Sequence, residues 1–204
     1  MTMNQVIPAN LIDLPKPKVW LISDTHYNHG NIATYCDRPK DFTYRIVKNC
    51  KQIIKPNDLV IHLGDVFIGN LKDYDHIWQN LPGRWILIRG NHDRKHSISW
   101  WMEHGFQFAC DSMIFRAMWL THEPANSLPE GCAYNIHGHL HNIWDGFHPN
   151  GSIEQADEEQ MRLRKELKHP WQRLFAIEYT NYMPVDFDKF VSHPDKYLAR
   201  GIRK

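Results

Sequence analysis

The chain is short of the features that would place it in several large functional classes. Its charges nearly cancel, with 24 Lys and Arg against 23 Asp and Glu, so it is not the strongly basic protein that a general nucleic-acid binder would be. Its four cysteines form no C-x-x-C pair. Cys36, Cys50, Cys110 and Cys132 therefore read as reduced thiols, which places the protein in the cytoplasm. No apolar run is long enough to span a bilayer, and the N-terminus, MTMNQVIPANLIDLPKPK, lacks the apolar core of a signal peptide. No internal repeat is visible. A chain of 204 residues with an ordinary apolar fraction suits one domain with a sizeable core.

What the chain has is a series of short polar motifs, each close behind an apolar run. Asp24-Thr25-His26 follows VWLIS, Gly64-Asp65 follows DLVIHL, and Gly90-Asn91-His92-Asp93 follows RWILIR. His122 follows AMWLT, and Gly138-His139-Leu140-His141 follows AYNIH. Taken singly, each is ordinary: Asp-x-His is usually a solvated turn, Gly-Asp a turn signal, and a lone histidine a strand-end residue. Carboxylate, amide and imidazole donors repeated at successive strand ends can instead converge on one sheet edge, and such donors suit divalent metals. His62, His76, His96, His104, His137, His148, His169 and His193 fall outside this pattern and read as structural or surface residues.

Between the motifs, apolar runs alternate with helical periodicity. Strands are expected over 19–23, 58–63 and 84–89, and helices from Thr43 to the stop at Pro56, over 71–81 and from Ser97 to His104. Later segments, 106–110, 112–121 and 132–137, read as strands without long helices between them. This predicts a layered α/β fold whose second half is richer in strands.

The ordered D-x-H, G-D, G-N-H-[DE], H and G-H-x-H series closely resembles the calcineurin-like metallophosphoesterases. Asp24-Thr25-His26 with His29, Asn31 and Ile32, then Arg38-Pro39, is similar to the small bacterial and phage members, as are PNDLVIHLGDV and GRWILIRGNHD. The resemblance implies a four-layer αββα sandwich formed as a single domain over 1–204. It implies two divalent ions, Mn first, with Fe, Zn, Co or Ni also compatible with nitrogen and oxygen donors. Asp24, His26 and His141 would hold one ion and Asn91, His122 and His139 the other, with Asp65 bridging. His92 is the expected proton donor to the leaving oxygen, and Asp93 either orients His92 or binds backbone. His29, Arg38, Arg89 and Arg94 are candidate substrate contacts. Tyr179, Asn181 and Tyr182, in a closing segment read as a strand around FAIEYTNYMPV, are given no role.

The implied activity is hydrolysis of a small phosphate ester by a metal-bridging hydroxide, with a phosphodiesterase acting on a small or nucleotide-derived ester favoured. A nuclease or a phosphomonoesterase of the same superfamily is the alternative. A catalytically silent scaffold is a third, though such relatives lose ligands that this chain keeps. Two departures narrow the choice. The stretch Gly64-Asp65-Val66-Phe67-Ile68-Gly69 lacks the second Asp and the Arg of G-D-x-x-D-R-G, which argues against a phosphoprotein phosphatase. Residues 142–171 read as an insertion, acidic at Glu154, Asp157, Glu158 and Glu159 and basic at Arg162, Arg164, Lys165 and Lys168. That order of charge matches a surface helix. A flap over the metals, or nucleic-acid contact through the basic end with Trp171 stacking, is the lesser alternative.

Overall fold

The structure is a computed structural model that describes residues 16–142, 169–193 and 196. The charged stretch of the expected insertion lies outside the described residues. The four leading strands are β1 (Val19–Ile22), β2 (Leu59–His62), β3 (Arg84–Ile88) and β4 (Phe108–Cys110). They pair in parallel, and β9 (Val185–Asp186) runs antiparallel beside β1, giving the order β4-β3-β2-β1-β9. A second sheet has the order β5-β6-β7-β8, from Ser112–Phe115, Met118–Thr121, Tyr134–His137 and Gln172–Leu174. Here β6, β7 and β8 are parallel and β5 is antiparallel. The fold is α/β, with two mixed sheets and flanking helices.

The sequence explains which strands are central. The motif-bearing strands VWLI, LVIH and YNIH are buried on consecutive residues, as expected of strands covered on both faces. The edge strand β5 alternates exposed and half-buried positions instead. One apolar cluster joins both sheets, with Leu21, Ile61 and Leu87 of the first packed in it beside Leu120 and Ile136 of the second and Phe175 just past β8. The last helix, α5 (Phe187–Ser192), contributes Phe187 against Phe115 and Phe190 against Phe175.

The helices obey local rules. In α2 (Phe42–Ile53), Phe42, Ile46 and Cys50 recur every fourth residue and are buried, forming the apolar stripe of an amphipathic helix. In α3 (Leu71–Trp78) the Asn70 side chain caps by accepting from the Lys72 N–H, and before α4 (Ile98–Glu103) Ser97 accepts from the Trp100 N–H. A short helix not expected from periodicity, α1 (Gly30–Tyr35), follows the first motif.

Two expectations need correction. The segment 112–121 is a hairpin of two strands, because Arg116 and Ala117 take left-handed φ values of 49° and 60°. Without Gly or Asn, that two-residue turn carries no local signal. The closing segment FAIEYTNYMPV is mostly a 3-10 turn, Ile177–Thr180, and only Val185–Asp186 enters a sheet. The Thr180 hydroxyl donates to the Ile177 and Met183 carbonyls, and Asn181 and Tyr182 adopt left-handed φ, which bends the chain away from a ladder.

Candidate metal centre

Parallel pairing decides where the motifs meet. Ile22 lies opposite His62, and His62 opposite Leu87, so the loops carrying Asp24, Asp65 and Asn91 leave one sheet edge together. In the second sheet Leu120 pairs with Ile136 and His137 with Leu174, which brings His122, His139 and Glu178 out at a common edge. Carboxyl ends of parallel strands are where α/β folds place their sites. Backbone bonds then tie the loops: Asp24 N–H to Gly64 O (2.9 Å), His26 N–H to Asp65 O (3.0 Å) and Gly138 N–H to His122 O (2.9 Å). The two sheets are joined by the His139 N–H, which reaches the Asp24 carboxylate oxygens at 3.1 and 3.2 Å.

Two donor groups are built from the motifs, and a third among the described residues, Cys36, His141 and Glu178, shares His141 with the first. Asp24, His26 and His141 form the first and Asp65, His122 and His139 the second, with the potential ligand atoms of each within 4.8 Å of one another. Asp65 touches both groups, since its Oδ2 lies 3.5 Å from His26 Nε2 and 3.3 Å from His122 Nε2. Asn91 belongs to the second group, with its Oδ1 3.0 Å from His122 Nε2.

The donor set fits cations. His122 donates its Nδ1 proton to the Leu63 carbonyl at 2.8 Å, so its Nε2 is the nitrogen left to face the site. That nitrogen faces Asn91 Oδ1, Asp65 Oδ2 and His139 Nδ1, the last at 3.1 Å. Acceptors crowded this closely need positive charge between them. Both ring nitrogens of His26 are buried without a hydrogen-bond partner. Burial holds the His26 imidazole well below its ordinary range, and it lowers His139 to about 3, which keeps both neutral as ligands must be. Burial opposes charge on Asp65 as well, yet His122, His26 and His92 hold its carboxyl below the usual carboxylate range. Burial also works against a charged His122, but Asp65 outweighs it and raises the imidazole to about 9, so a proton on Nε2 supplies positive charge beside Asp65 when no cation does. The centre attracts positive charge.

The backbone is strained at the same residues. Asp24, His26, Asp65, His139 and His141 all have left-handed φ, between 43° and 70°. At about 1–3 kcal/mol each for residues other than glycine, such strain persists only where the surroundings enforce it. Gly90 supplies part of that enforcement. A Cβ there would fall on the Asp65 carboxylate and come within 2.7 Å of the Asp65 backbone nitrogen, so only glycine lets the two loops close together.

The remaining candidates divide into rim and scaffold. His92 is at the mouth: its side chain is 45% exposed and its Nε2 lies 3.9 Å from Asp65 Oδ2. The His29 ring is 5.7 Å from that of His26. Arg94 pairs with Glu123 at 3.2 Å beside His122. Asp93, expected to act on His92 or to bind backbone, takes the second course and accepts from the Asp65, Gly90 and Val66 N–H groups at 2.7, 2.8 and 3.0 Å. It thus clamps one metal motif to the next, and Trp101, beneath it, donates to its carbonyl. Arg89, expected near substrate, is turned to Asp111 and the His96 carbonyl. Arg38 is buried behind the site, bound to the Asp24 carbonyl (2.8 Å), the Thr25 carbonyl (3.2 Å) and Glu178 (2.6 Å). In place of the expected substrate contact, it forms part of the scaffold.

Sequence reasoning missed Glu178. Its Oε1 is 3.2 Å from His141 Nδ1, so it accepts a hydrogen bond from that nitrogen and leaves Nε2 facing Asp24. It stands 37 residues beyond His141 and 140 beyond Arg38, with no motif around it. His62, read as structural, also supports the loops, its Nε2 3.0 Å from the Thr25 hydroxyl and its Nδ1 accepting from the Gly64 N–H.

A model of the calcineurin-like phosphoesterase family matches residues 17–203. The chain belongs to that family. As a calcineurin-like phosphoesterase it is a metal-dependent hydrolase of phosphate esters. This phosphoesterase is 33% identical over 188 residues to an uncharacterized protein of Methanocaldococcus jannaschii, a match covering 88% of this chain and 92% of the other. Its fold is similar to the crystal structure of a protein of unknown function from Aquifex aeolicus, with a TM-score of 0.60 and 24% identity. That match covers 86% of the phosphoesterase and 98% of the solved chain. Among its described residues no helix is long and apolar enough to cross a membrane.

Proposed function

We propose that the chain is a single-domain dinuclear phosphodiesterase, cleaving a small or nucleotide-derived phosphodiester with manganese as the working metal. The observation that carries this reading is Asp65, whose one carboxylate oxygen lies within 3.5 Å of a histidine from each donor group. Asp24, His26 and His141 would hold one ion and Asn91, His122 and His139 the second, with Asp65 between them. Divalent ions bound there supply an activated water and neutralise charge on the phosphate.

The protein's own groups do the rest. Glu178 and the Leu63 carbonyl fix the tautomers of His141 and His122. Asp93 and Gly90 hold Asp65 against the second loop. His92, solvent-facing at the mouth, is placed to give a proton to the leaving oxygen. Arg94 and His29 flank the opening, where a phosphate ester would enter. Four free thiols suit a reducing compartment and support a cytoplasmic location.

The test compares bis-p-nitrophenyl phosphate with p-nitrophenyl phosphate on metal-stripped protein reloaded with manganese. Faster diester cleavage, lost together with metal in Asp65→Asn, is the expected result. Preference for the monoester would make the protein a phosphomonoesterase. Two bound metals without turnover of either ester would leave the scaffold alternative.

A further inference from the structure

Beside the metal centre lies a cleft that the hydrolytic chemistry does not use. It runs between α2 and α3, with a volume of about 860 Å³, inside the range of small-molecule sites. Both walls are helix faces at regular spacing: Tyr44, Val47 and Lys51 on one side, Asp73, His76, Ile77 and Asn80 on the other. One end is closed by Lys51 Nζ, 3.4 Å from Asn80 Oδ1. Asn28 and Gly30 line the cleft, and the Asn28 N–H is held by the Thr43 hydroxyl at 3.0 Å. Asn28 is two residues from the ligand His26, so their Cα atoms are separated by at most about 7 Å.

From this placement we infer that the cleft is the subsite for the nucleobase of a nucleotide-derived ester whose phosphate sits at the metal centre. The inference depends on the hydrolase reading only in where it puts the phosphate. Three features favour a flat heterocycle. Tyr44 is 64% exposed although it is a large aromatic residue lining the cleft, and an exposed ring offers a stacking face. Val47 and Ile77, both half-buried, give a small apolar floor. Hydrogen-bonding groups of both kinds rim it, among them Asn28, Asn80, Asp73 and Lys40. An acyl chain would strip water from those groups without replacing it, whereas the edge of a base offers donors and acceptors.

Calorimetric titration of the manganese-loaded full chain with adenosine 5'-monophosphate and with inorganic phosphate tests the subsite without requiring turnover. Adenosine 5'-monophosphate should bind at least about tenfold tighter than phosphate, at the lower end of what one stacked base contributes. Tyr44→Ala should remove that advantage, Tyr44→Trp should keep it, and Ile114→Ala, at a remote exposed position, should leave it intact. Equal affinity for the two ligands in the wild type, or an undiminished preference in Tyr44→Ala, would overturn the inference. So would a Tyr44-dependent dimer in sedimentation, since a second copy would then be the occupant. Cleavage of bis-p-nitrophenyl phosphate is scored separately. Its absence beside Tyr44-dependent nucleotide binding would sink the hydrolase reading and leave the subsite standing.

Discussion

Removing the Arg38 guanidinium should destabilise this protein more than any exposed charge could. The Arg38 side chain is 0% exposed and that of Glu178 5%, so deleting the arginine strands a carboxylate in the interior. Breaking one partner of a buried pair costs about 3–5 kcal/mol. The carboxyl itself gives a consistent figure. Burial would raise it, but Arg38 and then His141 bring it from 4.5 down to about 2, a difference equivalent to about 3 kcal/mol. At about 2–4 °C per kcal/mol for a chain of this size, Arg38→Met should melt roughly 6–20 °C lower. The double variant Arg38→Met/Glu178→Leu should recover much of the loss, because no unpaired charge remains.

The sign with pH is fixed by the depressed carboxyl. Its stabilisation is complete above about 4.5 and is lost as pH falls towards 2. Urea denaturation should therefore show the largest gap between wild type and Arg38→Met near neutral pH, narrowing in acid. A loss under about 1 kcal/mol in Arg38→Met, or a double variant no more stable than the single one, would refute the claim that this pair acts as buried scaffold.

Further outcomes concern the centre itself. His92→Ala should keep its metal, since every ligand remains, while kcat falls by about 10²–10⁴; metal analysis beside steady-state rates reads both, and unchanged turnover would remove His92 from the chemistry. Gly90→Ala should displace Asp65, because the new Cβ falls on its carboxylate, and metal content should drop with about 1–3 kcal/mol of stability; retention of full metal would show that the loops have room to part. Asp93→Asn replaces one of the two accepting oxygens with an NH2, so either the Val66 N–H or the Asp65 and Gly90 N–H groups lose their acceptor. It should therefore lower stability more than it alters the pH–rate profile, and a displaced profile would return Asp93 to the chemistry.

The position of the candidate donors was legible in the order of their motifs, because each sits just beyond an apolar strand, and periodicity marks such strands. Parallel pairing then brings those strand ends together, while the grouping of Asp24, His26, Asp65, Asn91, His122, His139 and His141 into candidate donors rested on the family resemblance. The split of 112–121 was not legible, since Arg116 and Ala117 take left-handed φ without the residues that usually announce it. Nor was the closing turn, where Asn181 and Tyr182 do the same.

Tertiary structure alone decided what the remaining polar residues do. Arg38 and Arg89 look alike in the sequence, as basic residues beside motifs, yet one is buried against Glu178 and two carbonyls and the other turns to Asp111. The cleft between α2 and α3 likewise depends on how two successive helices, with β2 between them in the chain, lean together. Local periodicity encodes which face of an element is apolar and where the element ends. It carries no information on which residue, 140 positions away, will meet a buried charge, because that meeting is set by the packing of the whole core.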